Sequence, residues 1–102
     1  MINSLVLMGR VANIPKLETK DGKTSAIITL KVPRNYRNID GKYDDDYIDV
    51  KVVSQCAIST CNYCSQGDMI AIKGMLTRLQ NENMEVLAEK VTFLASKGKE
   101  EE

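Results

Sequence analysis

Apolar and polar residues alternate in short runs along most of this chain, and Gly, Pro, Asn and Asp separate the runs. Alternation with a period of two is typical of β-strands that have one buried face. In one run Ile48, Val50 and Val52 are expected to face the core, with Tyr47 and Lys51 outside. The pattern predicts five strands, at residues 4–11, 24–32, 47–54, 69–79 and 84–94.

One helix is predicted, at residues 56–66. Ala57, Cys61 and Cys64 recur there at spacings of four and three, which places them on one helical face. Gly67 stands where a C-terminal cap is expected. Pro33 is expected to end the second strand, so that the polar stretch 34–46 forms a long connection.

The order of elements is three strands, one helix and two strands in a chain of 102 residues, which is the length of one domain. This order matches an all-β, five-stranded Greek-key OB-fold barrel, whose helix lies between strands three and four. A β-sandwich is the alternative, but it normally needs about seven strands. We expect a barrel over residues 1–95 and a frayed, charged tail over residues 96–102.

The charge balance is neutral, with 14 basic and 14 acidic residues. Neutrality argues against a nucleic-acid-binding protein, because such domains are usually basic. The distribution of charge weakens that argument, since six acids fall in two runs, at 44–46 and 100–102. Between residues 31 and 42 four basic residues accompany one acid, and local charge governs phosphate contact.

Three cysteines, Cys56, Cys61 and Cys64, reproduce part of an iron–sulfur spacing. A fourth Cys is absent and the chain has no His, so we expect the thiols to pack in the core and expect no metal or other cofactor. The chain also has no Gly-rich phosphate loop and no His, which is the commonest general base in enzymes. Both observations argue against an enzyme. No membrane span or secretory signal is visible, which favours a cytoplasmic protein.

Five segments in the right order resemble the strands of one known family. They are Asn3-x-Leu5-x-Leu7-x-Gly9-Arg10, Thr29-Leu30-x-Val32, Asp46-Tyr47-Ile48-x-Val50-x-Val52, Gly67-Asp68-x-Ile70-x-Ile72-x-Gly74-x-Leu76 and Glu85-Val86-x-Ala88-Glu89-x-Val91-x-Phe93-Leu94. Over residues 1–94 the chain resembles the bacterial single-stranded DNA-binding proteins. The resemblance implies a homotetramer that wraps single-stranded DNA during replication, recombination or repair, without cofactor or catalysis.

The resemblance also implies that bases stack on aromatic side chains of the second and third strands. Two of the matching positions are Tyr36 and Tyr47, although Tyr47 could instead close the edge of the core. Two other positions depart from the family, because Val53 and the region of Asn81 carry no ring. The chain is therefore expected to bind more weakly than a typical member.

Basic residues near these positions are candidates for phosphate contact, because guanidinium and ammonium groups bind phosphate. Lysines on outward strand positions could equally be solvated surface. The candidates are Arg10, Lys31, Arg34, Arg37, Lys51, Lys73 and Arg78.

Two alternatives stay open at this point. One is a dimeric primosomal-type relative that bridges DNA and replication proteins, which is favoured because residues 97–102 lack the family's acidic Pro-Phe tip. The other is a protein-interaction barrel without nucleic acid. Val6 and Met8 make the first strand apolar on both faces, so we expect an oligomer, with a tetramer favoured over a dimer.

Overall fold

The structure is a computed structural model, and it describes residues 1–96. The predicted tail therefore lies outside the described residues, apart from Ser96. Along the described chain the elements are β1 (Leu5–Val11), β2 (Glu18–Lys20), β3 (Lys23–Arg37), β4 (Tyr43–Val53), α1 (Ser54–Tyr63), β5 (Met69–Arg78) and β6 (Met84–Ala95).

The strands close into a barrel. Their order is β1-β5-β6-β4-β3-β2, and β1 also pairs with β3, which closes a ring of five strands and leaves β2 as a short addition to β3. All pairings are antiparallel except that of β4 with β6. The helix follows β4, the third strand of the ring in chain order, so the predicted OB-fold is confirmed.

The core consists of the alternate residues that the hydrophobic pattern predicts. Branched aliphatic side chains fill it, because their stiff rotamers pack well on pleated strands. The fully buried ones are Val11, Ile28, Leu30, Val50, Val52, Ile70 and Ile72. Ala57 and Thr60 of α1 are also buried. Among residues 1–96, no helix has the length and apolar composition needed to cross a bilayer.

The predicted stop at Pro33 is wrong. β3 continues through Pro33 to Arg37, which pairs with Tyr43 of β4. The register of the β3–β4 pairing shifts between Pro33 and Arg37. β3 pairs with β1 only at Leu30 and Lys31, so beyond that point it is an edge strand. A proline is tolerated there because the missing N–H breaks no ladder on the open side. The predicted long connection is therefore a two-stranded ribbon whose turn occupies only residues 38–42.

The predicted helix limits also need correction. α1 begins at Ser54 and ends at Tyr63. Cys64 is the C-terminal cap, with an extended backbone and an N–H that donates to the Thr60 carbonyl oxygen at 2.9 Å. Gly67 lies in the following turn, with a φ of 96°, and its N–H donates to the Val11 carbonyl oxygen at 2.8 Å. The helix ends early because the chain must turn back to β1 before β5 begins.

Candidate nucleic-acid interface

The outer faces of β3 and β4 form one continuous ladder of side chains, which we call the outer ladder. Directly opposite residues of two antiparallel strands point to the same side, so the register identifies its members. The pairs are Ser25–Val53, Ile27–Lys51, Thr29–Asp49, Lys31–Tyr47 and Pro33–Asp45. Four residues predicted from the sequence therefore share this face: Lys31, Tyr47, Lys51 and Val53.

A third strand extends the ladder. Arg10 of β1 lies opposite Lys31, which lies opposite Tyr47, so one row crosses three strands. The Arg10 guanidinium is half-buried, and its Nη1 donates to the Gly67 carbonyl oxygen at 3.0 Å. A Cβ on Gly9 would lie 2.6 Å from the Lys31 carbonyl oxygen, so only glycine lets β1 approach β3 this closely.

Three exposed tyrosines stand where the ladder passes into the ribbon, and we call Tyr36, Tyr43 and Tyr47 the tyrosine end. Tyr47 is 62% exposed, so the alternative that its ring closes the core is wrong. The Arg37 guanidinium carbon lies 5.6 Å from the centre of the Tyr43 ring, within the range of a cation–π interaction. Stacked rings and guanidinium planes of this kind offer surfaces for unpaired bases.

The cations beside the tyrosines are paired with carboxylates. Arg34 donates to Asp46 from Nη2 to Oδ1 at 3.0 Å and from Nε to Oδ2 at 3.1 Å. Asp44 lies 3.9 Å from the same guanidinium, and the Lys31 ammonium lies 3.6 Å from an Asp45 oxygen. Asp45 therefore pairs with a cation of the outer ladder, whereas Asp44 and Asp46, which share the face of Val32, pair with Arg34 on the other side of the ribbon.

The Arg34–Asp46 contact shifts both groups toward their charged forms. The hydrogen bond from Arg34 lowers the pKa of Asp46 below its ordinary value. The same hydrogen bond raises the pKa of Arg34. Both side chains are exposed, so the pair is screened by solvent and its main effect is to orient the ribbon.

Two predicted residues lie away from the outer ladder. Lys73 is on β5, opposite Val6 of β1 and Lys90 of β6, and β5 pairs with neither β3 nor β4. Lys73 therefore does not line one groove with Lys31 and Lys51 within a single barrel. Arg78 lies at the end of β5, and its Nη2 is 2.9 Å from Glu82 Oε1 in the turn to β6.

Sequence reasoning left three residues of this surface outside the predicted set. Tyr43 is not predicted because it stands beside the three aspartates of residues 44–46, although Tyr36 of the same stretch is predicted. Lys20 and Lys23 lie directly opposite each other in the β2–β3 hairpin, next to the Ser25–Val53 step of the ladder. The Asp21-Gly22 turn between them was the signal in the sequence that could have placed them together.

The cysteines take no part in this surface. Cys64 is buried, and Cys56 and Cys61 pack against the core. Burial raises the pKa of both Cys61 and Cys64, which keeps these thiols protonated and unreactive.

The closed barrel and its outer ladder define an OB-fold nucleic-acid-binding protein. Residues 2–95 match the single-strand binding protein family. The chain belongs to that family, whose members bind DNA and are not enzymes.

Two relatives show how far the similarity extends. The chain is 31% identical over 109 aligned positions to single-stranded DNA-binding protein B of Bacillus subtilis, covering 98% of this chain and 96% of the relative. It is 34% identical over 106 positions to single-stranded DNA-binding protein 2 of Staphylococcus aureus, covering 95% of this chain and 75% of the relative.

Proposed function

We propose that this chain binds single-stranded DNA without sequence preference, stacking bases on its exposed tyrosines and placing phosphates beside its cations. The observation that carries the proposal is Tyr47, an exposed ring on the outer ladder directly opposite Lys31. Every base has a face that can stack on such a ring, so recognition of this kind is tolerant of sequence. Family membership and the names of the relatives support the same function.

The role that follows is protection of single strands during replication, recombination or repair. The binding unit is the barrel, residues 1–95. Its three cysteines are free, which suits the reducing cytoplasm as the place of action.

We infer further that the barrel assembles with copies of itself, and favour a tetramer over a dimer. β1 pairs with β3 only at Arg10 and Val11, so Leu5–Gly9 keeps one open edge. On the outer face of that segment Val6 is 71% and Met8 58% exposed. An open edge with apolar side chains is a template for a second strand. We expect Val6→Lys to lower the mass measured by sedimentation equilibrium, while Ile14→Lys, at an exposed apolar loop position, leaves it unchanged.

The test of DNA binding is a titration with oligo-dT, oligo-dA and oligo-dC at several salt concentrations. The chain has four Tyr and no Trp, so tyrosine emission reports stacking directly. We expect quenching by all three oligonucleotides and a steep loss of affinity as salt rises. Pairing of Lys31 and Arg34 with aspartates favours the rival function, a protein-interaction barrel. That rival is supported instead if no oligonucleotide binds even at low salt.

A further inference from the structure

A second basic surface lies at the far end of the outer ladder from the tyrosines. A cavity of about 630 Å³ opens beside the β2–β3 hairpin. Its lining residues include Lys20, Lys23 and Lys51, with Ser25 and Val53 between them. We call Lys20, Lys23 and Lys51 with this cavity the lysine pocket.

The register aims the three lysines to one side. Lys20 lies opposite Lys23, Val53 lies opposite Ser25, and Lys51 lies opposite Ile27. Positions 23, 25 and 27 of β3 alternate onto the same face, so all three ammonium groups belong to the outer ladder. The Ser25–Val53 pair lies between the lysines, and its small side chains leave the space between them open.

The hairpin turn holds two of these charges together. Asp21 and Gly22 both have positive φ, 52° and 75°, as a two-residue turn of the type preferred in hairpins requires. This turn fixes Lys20 directly opposite Lys23. Like charges directly opposite each other destabilise a strand pair. A bound anion between them would remove that repulsion.

The lysines of this pocket are available to a ligand. Among residues 1–96, none of Lys20, Lys23 and Lys51 has a carboxylate oxygen within 4.0 Å, and no hydrogen bond of their ammonium groups is recorded. Two acids are near, since Glu18 shares the face of Lys20 and Asp21 lines the cavity, but neither forms an ion pair with them. Lys31 and Arg34 at the other end are both paired.

We propose that the lysine pocket is a phosphate-binding subsite that anchors the backbone of single-stranded DNA. The proposal rests on the proposed function and extends it to residues outside the tyrosine end. The outer ladder is continuous from this pocket to Tyr47. Lys23 and Lys31 are eight residues apart on β3, so the path between them is roughly 26 Å long at about 3.3 Å per residue. One strand of DNA can follow it, with phosphates held at the pocket and bases stacked beyond.

The test compares the salt dependence of oligo-dT binding in variants of the whole chain. Each phosphate contact on a single strand contributes about 0.7 to the slope of log K against log salt. We expect Lys20→Ala/Lys23→Ala to lower the slope by about 1.4 and Lys23→Ala alone by about 0.7. Lys90→Ala, which removes a lysine from β6 outside the pocket, is the matched control and should keep the wild-type slope.

A further variant separates charge from shape. Lys20→Arg/Lys23→Arg keeps both charges and is expected to keep the wild-type slope. If the alanine double variant has the wild-type slope while the wild type binds DNA, or if Lys90→Ala lowers the slope equally, the subsite is wrong and the proposed function stands. If the wild type itself binds no oligonucleotide, the proposed function fails first.

Inorganic phosphate, added as a competitor, distinguishes a site for the free anion from a site for DNA. We expect millimolar phosphate to weaken oligo-dT binding to the wild type more than chloride of equal ionic strength does. That excess is expected to disappear in the alanine double variant. An excess that persists unchanged in the double variant places the competing anion elsewhere and overturns the assignment.

Discussion

At the tyrosine end of the outer ladder Lys31 is paired with Asp45 and stands beside aromatic rings, whereas the lysines of the lysine pocket have no carboxylate partner among residues 1–96 and no ring lines that pocket. Tyr47 and Lys31 lie on the same face of β3 and β4 as the lysine pocket, whereas Asp46, opposite Val32, points to the other face together with its partner Arg34. What differs between the two ends is which part of a nucleotide each can bind. Rings bind bases, and unpaired ammonium groups bind phosphates.

The difference also explains how a neutral chain can bind a polyanion. At the tyrosine end a phosphate must displace a carboxylate from Lys31, so the exchange of one anion for another gains little. At the lysine pocket a phosphate replaces only mobile counterions, and their release drives binding. Total charge is a poor guide because the ion-paired carboxylate of this face, Asp45, lies at the tyrosine end, while Glu18 and Asp21 near the lysine pocket form no ion pair within residues 1–96.

The largest effect is expected from removing the ring at the centre of the tyrosine end. Tyr47→Ala should weaken oligo-dT binding by about 1–3 kcal/mol, which is roughly 5- to 150-fold in affinity. The slope of affinity against salt should stay as in the wild type, because no phosphate contact is lost. Tyr63→Ala removes a 76% exposed ring from α1, off the ladder, and should change neither quantity. Unchanged affinity in Tyr47→Ala would exclude stacking on this ring.

The next effect comes from adding a ring to the end that has none. Val53→Phe places an aromatic side chain on the ladder beside Lys51 and is expected to strengthen binding by about 1 kcal/mol, roughly fivefold. Val53→Ile enlarges the same side chain without a ring and serves as the control. If Val53→Phe and Val53→Ile bind equally well, a ring at position 53 adds no stacking surface for a base.

Much of the fold follows from the sequence, because alternation of apolar residues fixes both the strands and their buried faces. Val50 and Val52 are buried as predicted, and Ile48 is half-buried. The strand was expected to end at Pro33 because proline locally disfavours a β-strand. Whether a strand tolerates proline depends on whether another strand lies beside it. That information is tertiary, and no local pattern carries it.

The candidate site was only partly visible in the sequence. Tyr47 and Lys31 were assigned to the outside, but their direct pairing depends on the β3–β4 register. Lys73 was grouped with Lys51 because both occupy outward positions, and only the order of strands around the barrel separates them. Pairing of Arg34 with Asp46 joins residues twelve apart and required the ribbon.

A smaller effect should follow when one cation of the tyrosine end loses its carboxylate. Asp45→Asn releases Lys31 and is expected to raise affinity a few-fold at low salt and to increase the salt slope by about 0.7. Asp40→Asn removes the same charge from the turn of the ribbon, where it breaks no ion pair, so it controls for net charge. Equal gains in the two variants would show that net charge, and not release of Lys31, controls affinity.

The smallest effect concerns stability and pH. Arg34 lowers the pKa of Asp46 in the folded chain relative to the unfolded chain, so the ion pair stabilises the fold above the ordinary aspartate pKa. That contribution is lost as the pH falls through the lowered value. Denaturant midpoints of the wild type and Asp46→Asn should therefore differ at pH 7 and converge in acid, while Asp40→Asn controls for the loss of a carboxylate. A difference that is equal at pH 7 and pH 2 would show that Asp46 acts through packing rather than through its charge.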